Sequence, residues 1–250
     1  MKPETPFVSL IIPFYNEENR LGKSLPSVFE YCSRSSWQWE IICVDDGSSD
    51  LTFQGLQELQ KSFASMRIIR LERNRGKGYA VRSGLQEGRG EYLLFSDADF
   101  STPIEDAAKL MASVASGYDL AIGSRGLDDS NVEVRQTWLR DTTGKVGNRI
   151  IRMLLPLDFT DTQCGFKMMT RKAAEVVLPR MSIDGFAFDV EMLTIAVAHG
   201  LQIAEVPVTW RNVEESKVRA IHTLRVLADV FEIRYRLAMG RYMARMKDEG

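Results

Sequence analysis

Two aspartates separated by one residue form the feature of this sequence that best predicts chemistry. Asp97 and Asp99 follow directly after the apolar run YLLFS. Two carboxylates this close repel each other unless a cation lies between them. Carboxylate oxygens are the ligands that Mg²⁺ and Mn²⁺ prefer, and such an ion can also hold the phosphates of a nucleotide. The pair therefore indicates a divalent-metal site; the alternative is a solvated strand end in which Asp99 caps the next helix.

A second pair of carboxylates, Asp45 and Asp46, ends the apolar run WEIICVD and precedes the turn residues GSSD. Helix capping by Ser49 or Asp50 explains part of this pattern but leaves Asp46 without a role. A carboxylate at the end of a strand can accept a hydrogen bond from the N–H of a pyrimidine base. We assign this function to Asp46.

Two more turns carry residues that suit a nucleotide. In PFYNEE, Tyr15 could stack on a base, and Glu17 could reach the base edge or the ribose. In NRGKG, two glycines before a helix form a backbone that suits an anion, and Lys77 adds a positive charge. The spacing of NRGKG differs from that of a P-loop, so it does not indicate ATP hydrolysis of that class. For both segments an ordinary turn is the alternative.

Only a sheet that brings these strand ends together can position such residues. Short β-rich runs alternate with amphipathic stretches, which is typical of an α/β fold with a mostly parallel sheet and helices on both faces. Ligands of such sheets lie at the carboxyl ends of the strands. We predict strands at 7–13, 39–45, 66–71, 91–96 and 119–123, with helices between them.

The second half of the chain is expected to complete the site that the first half begins. No repeat or low-complexity linker divides it. In chain order we predict a helix at 140–155, a loop at 158–167, helices at 171–178 and 187–199, a strand at 202–209 and a C-terminal helix from about Lys217.

The composition excludes several classes of protein. A formal net charge of −2 over 250 residues does not favour nucleic acid as a partner. No apolar stretch of the sequence approaches the ~18 to 20 residues of a spanning helix, and the N-terminus lacks the organisation of a signal peptide. We therefore expect a cytoplasmic protein, in solution or on a membrane surface. The three cysteines lack the spacing of a zinc site or a disulfide framework.

The motifs together resemble the family 2 inverting glycosyltransferases with the GT-A fold, and within them the dolichyl-phosphate β-glucosyltransferases and their prokaryotic polyprenyl-phosphate relatives. The resemblance covers about residues 7–217. Its two most specific motifs, DTQCGFK and FAFDVE, lie outside the nucleotide-binding half. In chain order the motifs are PFYNEE (13–18), VDDGSSD (44–50), NRGKGYA (74–80), DAD (97–99), GSR (123–125), DTQCGFK (161–167), FAFDVEML (186–193) and VPVTW (206–210), followed by Ser216 and Lys217.

The resemblance implies transfer of glucose from UDP-glucose to a polyprenyl phosphate with Mg²⁺ or Mn²⁺ as cofactor. It divides a GT-A domain over 1–216 into a nucleotide-sugar-binding half, 7–125, and an acceptor-side half, 126–216, followed by a helix over 217–250. Three alternatives stay open. The donor could be GDP-mannose, the acceptor could be a glycan hydroxyl, or the chain could bind nucleotide sugars without catalysis. Oligomeric state is not indicated.

The resemblance also implies a role for each matching residue. Pro13, Tyr15, Glu17 and Asp46 would hold the nucleoside, with Asp97 on the ribose or metal and Asp99 on the metal. Lys77 and Arg125 would face the sugar diphosphate, and Asp189 and Glu191 would lie near the sugar. The residues implied for the acceptor side are Gly165, Phe166 and Lys167 in a loop, with Ser216 and Lys217 closing over phosphate.

Two departures from the family pattern stand out. Ser101 takes the place of a side chain that often adds a metal ligand in the related mannosyl enzymes. The eukaryotic glucosyl enzymes carry an N-terminal membrane helix that does not precede the first strand here, so membrane attachment is expected elsewhere.

The implied mechanism is electrostatic. The metal ion, Lys77 and Arg125 would offset the charge that develops on the departing nucleoside diphosphate. A phosphate acceptor is already ionised near neutral pH and needs no general base. A hydroxyl acceptor would need one, and Asp189 or Glu191 is then the candidate. The alternative for these two carboxylates is a favourable interaction with a helix N-terminus.

The C-terminal segment is strongly basic. Residues 217–247 hold eight basic and two acidic side chains, a net charge of +6. A basic amphipathic helix can lie in an anionic lipid interface, and the alternative is a helix docked on the domain or in a dimer. The predicted apolar stripe consists of Val218, Ile221, Leu224, Ala228, Phe231 and Tyr235.

Overall fold

One seven-stranded sheet organises the part of the chain that the computed structural model describes, residues 7–127, 129–130, 147–211 and 220–243. The strands are β1 (Val8–Phe14), β2 (Trp39–Asp45), β3 (Met66–Arg70), β4 (Tyr92–Ser96), β5 (Leu120–Ser124), β6 (Phe166–Thr170) and β7 (Ile203–Pro207). Their order across the sheet is β3-β2-β1-β4-β6-β5-β7. All neighbouring pairs are parallel except those of β6, which runs antiparallel to β4 and β5.

Helices cover both faces of this sheet, as the sequence predicts. They are α1 (Glu18–Arg34), α2 (Thr52–Ser62), α3 (Lys77–Glu87), α4 (Ala107–Ala115), α5 (147–154), α6 (Arg171–Val177), α7 (Phe188–Ala198) and α8 (Ala220–Ala238). Alternate residues of a strand point to opposite faces. Thus Leu10 and Ile12 of β1 pack in the core beneath α1 and α4, whereas Ile11 packs in the core beneath α3 and α7.

The predicted loop over 158–167 is wrong at its end, because β6 begins at Phe166. This strand was missed because its sequence, FKMMT, carries a lysine within an otherwise apolar run. Phe166, Lys167, Met168 and Met169 are all fully buried. A strand buried on both faces lacks the alternation of apolar and polar residues that identifies a half-exposed strand.

The other elements agree with the predictions to within a few residues. The predicted helix at 140–155 is present over 147–154, and its first part lies outside the described residues. α8 is described from Ala220 onward, so Lys217 also lies outside. Val230 and Ile233 of α8 are fully buried in the same core as α7. The proposed division of the chain at 216/217 stays a prediction.

Within the described residues, no helix is both long and apolar enough to cross a bilayer.

Candidate active site

Asp97, Lys77 and Gly165 meet at the carboxyl end of β4. Lys77 is the first residue of α3, and its Nζ lies 2.6 Å from Oδ1 of Asp97. The backbone N–H of Asp97 donates to the carbonyl oxygen of Gly165 at 3.0 Å. A Cβ atom at Gly165 would lie 2.3 Å from the Asp97 carboxyl carbon. Position 165 therefore requires glycine, because a side chain would displace the carboxylate.

Asp99 follows two residues later in a tight turn. Its Oδ1 accepts a hydrogen bond from the N–H of Ser101 at 2.9 Å, and Phe100 between them has a left-handed φ of 46°. Among the described residues, no three His, Cys, Asp or Glu side chains converge as a metal site. Mg²⁺ and Mn²⁺ are commonly held by one or two carboxylates plus substrate phosphates. The donor set of Asp97 and Asp99 fits such an ion if a nucleotide supplies further oxygens.

A second ion pair lies inside the protein beside the first. Nζ of Lys167 is 2.6 Å from Oδ1 of Asp189 and 2.6 Å from the carbonyl oxygen of Cys164. The two charged side chains are 0% and 4% exposed. Such a pair is held in place because either charge alone would be costly to bury.

The charges of these two pairs influence one another. Burial raises the pKa of Asp189, and the nearby Lys167 and Lys77 only partly oppose this effect. Burial lowers the pKa of Lys77, but the carboxylates of Asp97 and Asp189 outweigh it, so the net shift is upward. Lys77 thus stays cationic between two carboxylates at the edge of the sheet.

Arg125 follows β5 and forms a bidentate ion pair with Asp161. Its Nε and one terminal nitrogen donate to the two carboxylate oxygens at 2.6 and 2.9 Å. Burial would raise the pKa of Asp161, but Arg125 lowers it below its usual range. The sequence did not identify Asp161 as this partner. The available signal was the opposite charges of Arg125 in GSR and Asp161 in DTQCGFK, two motifs that flank adjacent strands.

Asp46 holds the turn that leads into α3. Its Oδ1 accepts from the N–H of Arg75 at 2.8 Å, and its Oδ2 accepts from the N–H of Gly76 and from Nδ2 of Asn74, both at 2.9 Å. Burial raises the pKa of Asp46, although the two backbone N–H groups oppose this. Asp46 therefore positions the start of α3, which carries Lys77. Its contact with a base stays a prediction.

The first turn of the chain lies beside that of Asp46. The N–H of Asp46 donates to the carbonyl oxygen of Phe14 at 2.8 Å, and the ring of Tyr15 is exposed next to it. The Glu17 carboxylate lies 3.2 Å from Arg20. Pro13 is half-buried near the end of β1. The structure thus brings Tyr15 and Asp46 to one edge, where a base could stack.

Besides Lys167 and Asp189, two further predicted site residues are enclosed by protein. Phe166 is a fully buried residue of β6 and not part of an exposed loop. Glu191 is fully buried, and its oxygens accept from the N–H groups of Ser182 and Ile183 and the hydroxyls of Ser182 and Tyr242, at 2.7 to 3.0 Å. Its carboxylate therefore fixes the segment before α7. Ser216 and Lys217 lie outside the described residues.

The segment before α7 also contacts α3, which the sequence analysis missed. The Asp184 carboxylate lies 3.2 Å from Arg75 and 2.6 Å from Arg82, and its carbonyl oxygen accepts from the N–H of Tyr79 at 3.2 Å. A Cβ atom at Gly76, where φ is 109°, would lie 2.4 Å from that carbonyl oxygen. No local pattern reveals this contact, because its partners are about a hundred residues apart.

Comparison with protein families and curated proteins gives consistent matches. The model of "Glycosyl transferase family 2" matches residues 9–178. The dolichyl-phosphate beta-glucosyltransferase of Saccharomyces cerevisiae is 33% identical over 94% of this chain and 76% of its own length. That of Dictyostelium discoideum is 34% identical, with coverage of 94% and 76%.

Solved structures with the same fold are more distant in sequence. Glucosyl-3-phosphoglycerate synthase from Mycobacterium tuberculosis, in complex with Mn²⁺, UDP-glucose and phosphoglyceric acid, has a TM-score of 0.67 at 17% identity, covering 92% of this chain and 80% of that chain. A mannosyltransferase from Pyrobaculum calidifontis, in complex with GDP-mannose and Mn²⁺, has a TM-score of 0.63 at 19% identity, covering 94% and 64%. These likenesses establish the shared fold.

Proposed function

Because this chain belongs to glycosyl transferase family 2, we propose that it transfers glucose from UDP-glucose to a polyprenyl phosphate of the dolichyl type, with inversion at the anomeric carbon. The observation that carries the proposal is the cluster at the end of β4. There the Lys77 ammonium lies 2.6 Å from Asp97, with Asp99 two residues further on. A cation beside two carboxylates suits a metal-bound diphosphate leaving group.

Asp97 and Asp99 would hold Mg²⁺ or Mn²⁺, in keeping with the Mn²⁺ complexes of two proteins that share the fold. When bound, the ion would offset the negative charge on the departing diphosphate. The Lys77 ammonium would add to this, since the carboxylates around it keep it charged. Arg125 is held in a fixed orientation by Asp161, so its guanidinium could serve the diphosphate without reorganisation.

The buried carboxylates support a phosphate as the acceptor. Asp189 is paired with Lys167, and the oxygens of Glu191 are occupied by four hydrogen bonds. With Oδ1 of Asp189 and both oxygens of Glu191 engaged, this arrangement favours an acceptor that needs no general base. A phosphate monoester is ionised near neutral pH and requires positioning only. Because that acceptor is lipid-linked, we propose that the reaction takes place at the cytoplasmic face of a membrane.

Product analysis tests this function directly. The full chain is incubated with a short polyprenyl phosphate and an equal mixture of UDP-glucose and GDP-mannose, with Mg²⁺, with Mn²⁺ or with excess EDTA. Mass spectrometry is expected to detect hexosyl polyprenyl phosphate and UDP with either metal and neither product in EDTA. GDP formation, or transfer only to a hydroxyl acceptor, would overturn the assignment.

A further inference from the structure

Among the described residues, α8 has one apolar face that packs on the protein and a second that is exposed. Val230 and Ile233 are fully buried in the core with α7, and Tyr242 closes that side. On the outer side, four large apolar residues are exposed, two at helical spacing on α8 and two in the turn that follows it. We call these four residues the outer face of α8. They are Phe231, Tyr235, Met239 and Met243, which are 59%, 50%, 60% and 56% exposed.

The outer face bears on the two alternatives for this helix, which are binding to a lipid interface and docking on the domain. Of its predicted stripe, Ala228, Phe231 and Tyr235 are exposed, while the side chains of Val218, Ile221 and Leu224 lie outside the described ones. Val230 and Ile233, which dock on the domain, are not part of the predicted stripe. A docked face and an apolar face that the other described residues leave exposed therefore coexist on one helix. The described residues include eight large exposed apolar side chains, and four of them lie within 231–243.

The charges around the outer face are positive. Arg225, Arg234 and Arg241 are exposed, and Cζ of Arg241 lies 5.4 Å from the ring centre of Tyr235. The two acidic residues of this stretch are half-buried, and Glu232 is paired with Arg236 at 2.7 Å. Over 225–243 the surface therefore offers mainly apolar and cationic groups, and the Glu232 side chain, which is 43% exposed, is paired with Arg236. Its complement is an apolar layer with negative charge at its surface.

The helix that bears this face also borders the candidate active site. A Cβ atom at Gly185 would lie 3.2 Å from Oδ2 of Asp229 on α8. Gly185 neighbours Asp184, whose backbone and carboxylate contact the start of α3. α8 thus packs against the segment that supports Lys77, so neighbouring elements carry the outer face and the candidate active site.

We propose that the outer face of α8 binds the surface of an anionic lipid bilayer, with Phe231, Tyr235, Met239 and Met243 entering the interface and Arg234 and Arg241 contacting lipid headgroups. The inference deepens the proposed function, since it identifies where the enzyme meets the membrane of its lipid-linked acceptor. Each arginine near an anionic surface contributes about fivefold to the affinity. Removing apolar side chains from the interface lowers the affinity further.

Co-sedimentation of the full chain with vesicles tests the proposal. Vesicles of phosphatidylcholine with phosphatidylserine are compared with vesicles of phosphatidylcholine alone, at low and high salt. The variants are Phe231→Ser with Met239→Ser, and Arg234→Gln with Arg241→Gln. Their matched controls are Met153→Ser and Arg34→Gln, which alter exposed residues of the same types on other helices.

We expect salt-sensitive binding to the anionic vesicles. Each double variant should weaken it at least tenfold, whereas the controls should bind as wild type does. Absence of wild-type binding at low salt, equal binding by the double variants, or an equal loss in the controls would overturn the proposal. Self-association that disappears in the double variants, without vesicle binding, would show instead that a second copy covers this face.

Two further measurements separate this proposal from the proposed function. Unfolding midpoints establish that the variants fold. Vesicle binding requires neither donor nor acceptor, so it can succeed while glucose transfer fails. Conversely, the double variants should keep wild-type turnover on a short polyprenyl phosphate dispersed in detergent. Loss of turnover there would mean that the face belongs to the acceptor site itself.

Discussion

Charged residues are placed differently in two regions of the molecule. One region comprises the carboxyl ends of β1, β2 and β4, and the other is formed by β6, α7 and α8. At the strand ends, Asp46 and Asp97 directly follow their strands. Asp46 is held by the turn before α3. Asp97 lies beside Lys77 and is accessible to a ligand. In the other region, Lys167 and Glu191 lie within regular elements and are enclosed. Glu191 and its partner Tyr242 are separated by 51 positions. The residues proposed for the chemistry at the strand ends are thus local features of the sequence, whereas the residues that support them are brought together by long-range contacts.

The largest expected effect concerns stability in the enclosed region. Lys167→Met leaves the Asp189 carboxylate buried without its partner, which should lower the free energy of unfolding by about 3–5 kcal/mol. Denaturant titration measures this. Adding Asp189→Asn should recover part of the loss, because the uncompensated charge is then absent. If the single variant is as stable as wild type, the contrast between the regions breaks down.

At the strand ends, by contrast, a change should affect turnover and leave stability unchanged. Asp99→Asn removes a negative charge from the proposed metal site and should lower kcat at least ~10²-fold, equivalent to roughly 2.7 kcal/mol. Steady-state kinetics and an unfolding titration of the same variant measure both quantities. Asp158→Asn, at an exposed aspartate paired with Arg152, is the control. Activity near that of wild type would reject the role of Asp99.

Asp46 combines both behaviours, since it directly follows β2 and also holds the turn before α3. Asp46→Ala should weaken UDP binding by about 1 to 3 kcal/mol, because it leaves donors of the base or of the turn without an acceptor. Calorimetry measures the affinity. Asn74→Ala removes one contact of the same turn but keeps the carboxylate. An equal loss in that variant would mean that Asp46 acts through the turn, and no loss in Asp46→Ala would remove it from the site.

The smallest effect is expected at Tyr242. Tyr242→Phe deletes one of the hydrogen bonds to Glu191 and should cost about 0.5–1.5 kcal/mol of stability. Urea unfolding is the measurement, with Tyr118→Phe at an exposed tyrosine for comparison. A UDP affinity that falls along with stability would indicate that the contact also positions α3. An equal change in both variants would contradict a specific role of this hydroxyl.

The same contrast explains what the sequence could and could not predict. Strands ending at Asp45 and Ser96 were predictable because apolar runs stop where polar turn residues begin. β6 was not, because Lys167 interrupts its apolar run and is neutralised by a residue 22 positions away. The pairing of Lys77 with Asp97 and of Arg125 with Asp161 required the strand order, which no local spacing contains. The residue types of the site were therefore predictable, and their partners were not.

The antiparallel strand β6 has a consequence for how the chain can be divided into fragments. Within the described part of the chain, β5 pairs with β6 and β7, and β4 has β6 on its second side. A fragment of residues 1–125 would therefore hold an open β4 edge and a β5 without the strands that pair with it in the described structure. Unpaired edges invite association with other chains. We therefore expect a fragment of residues 1–125 to aggregate.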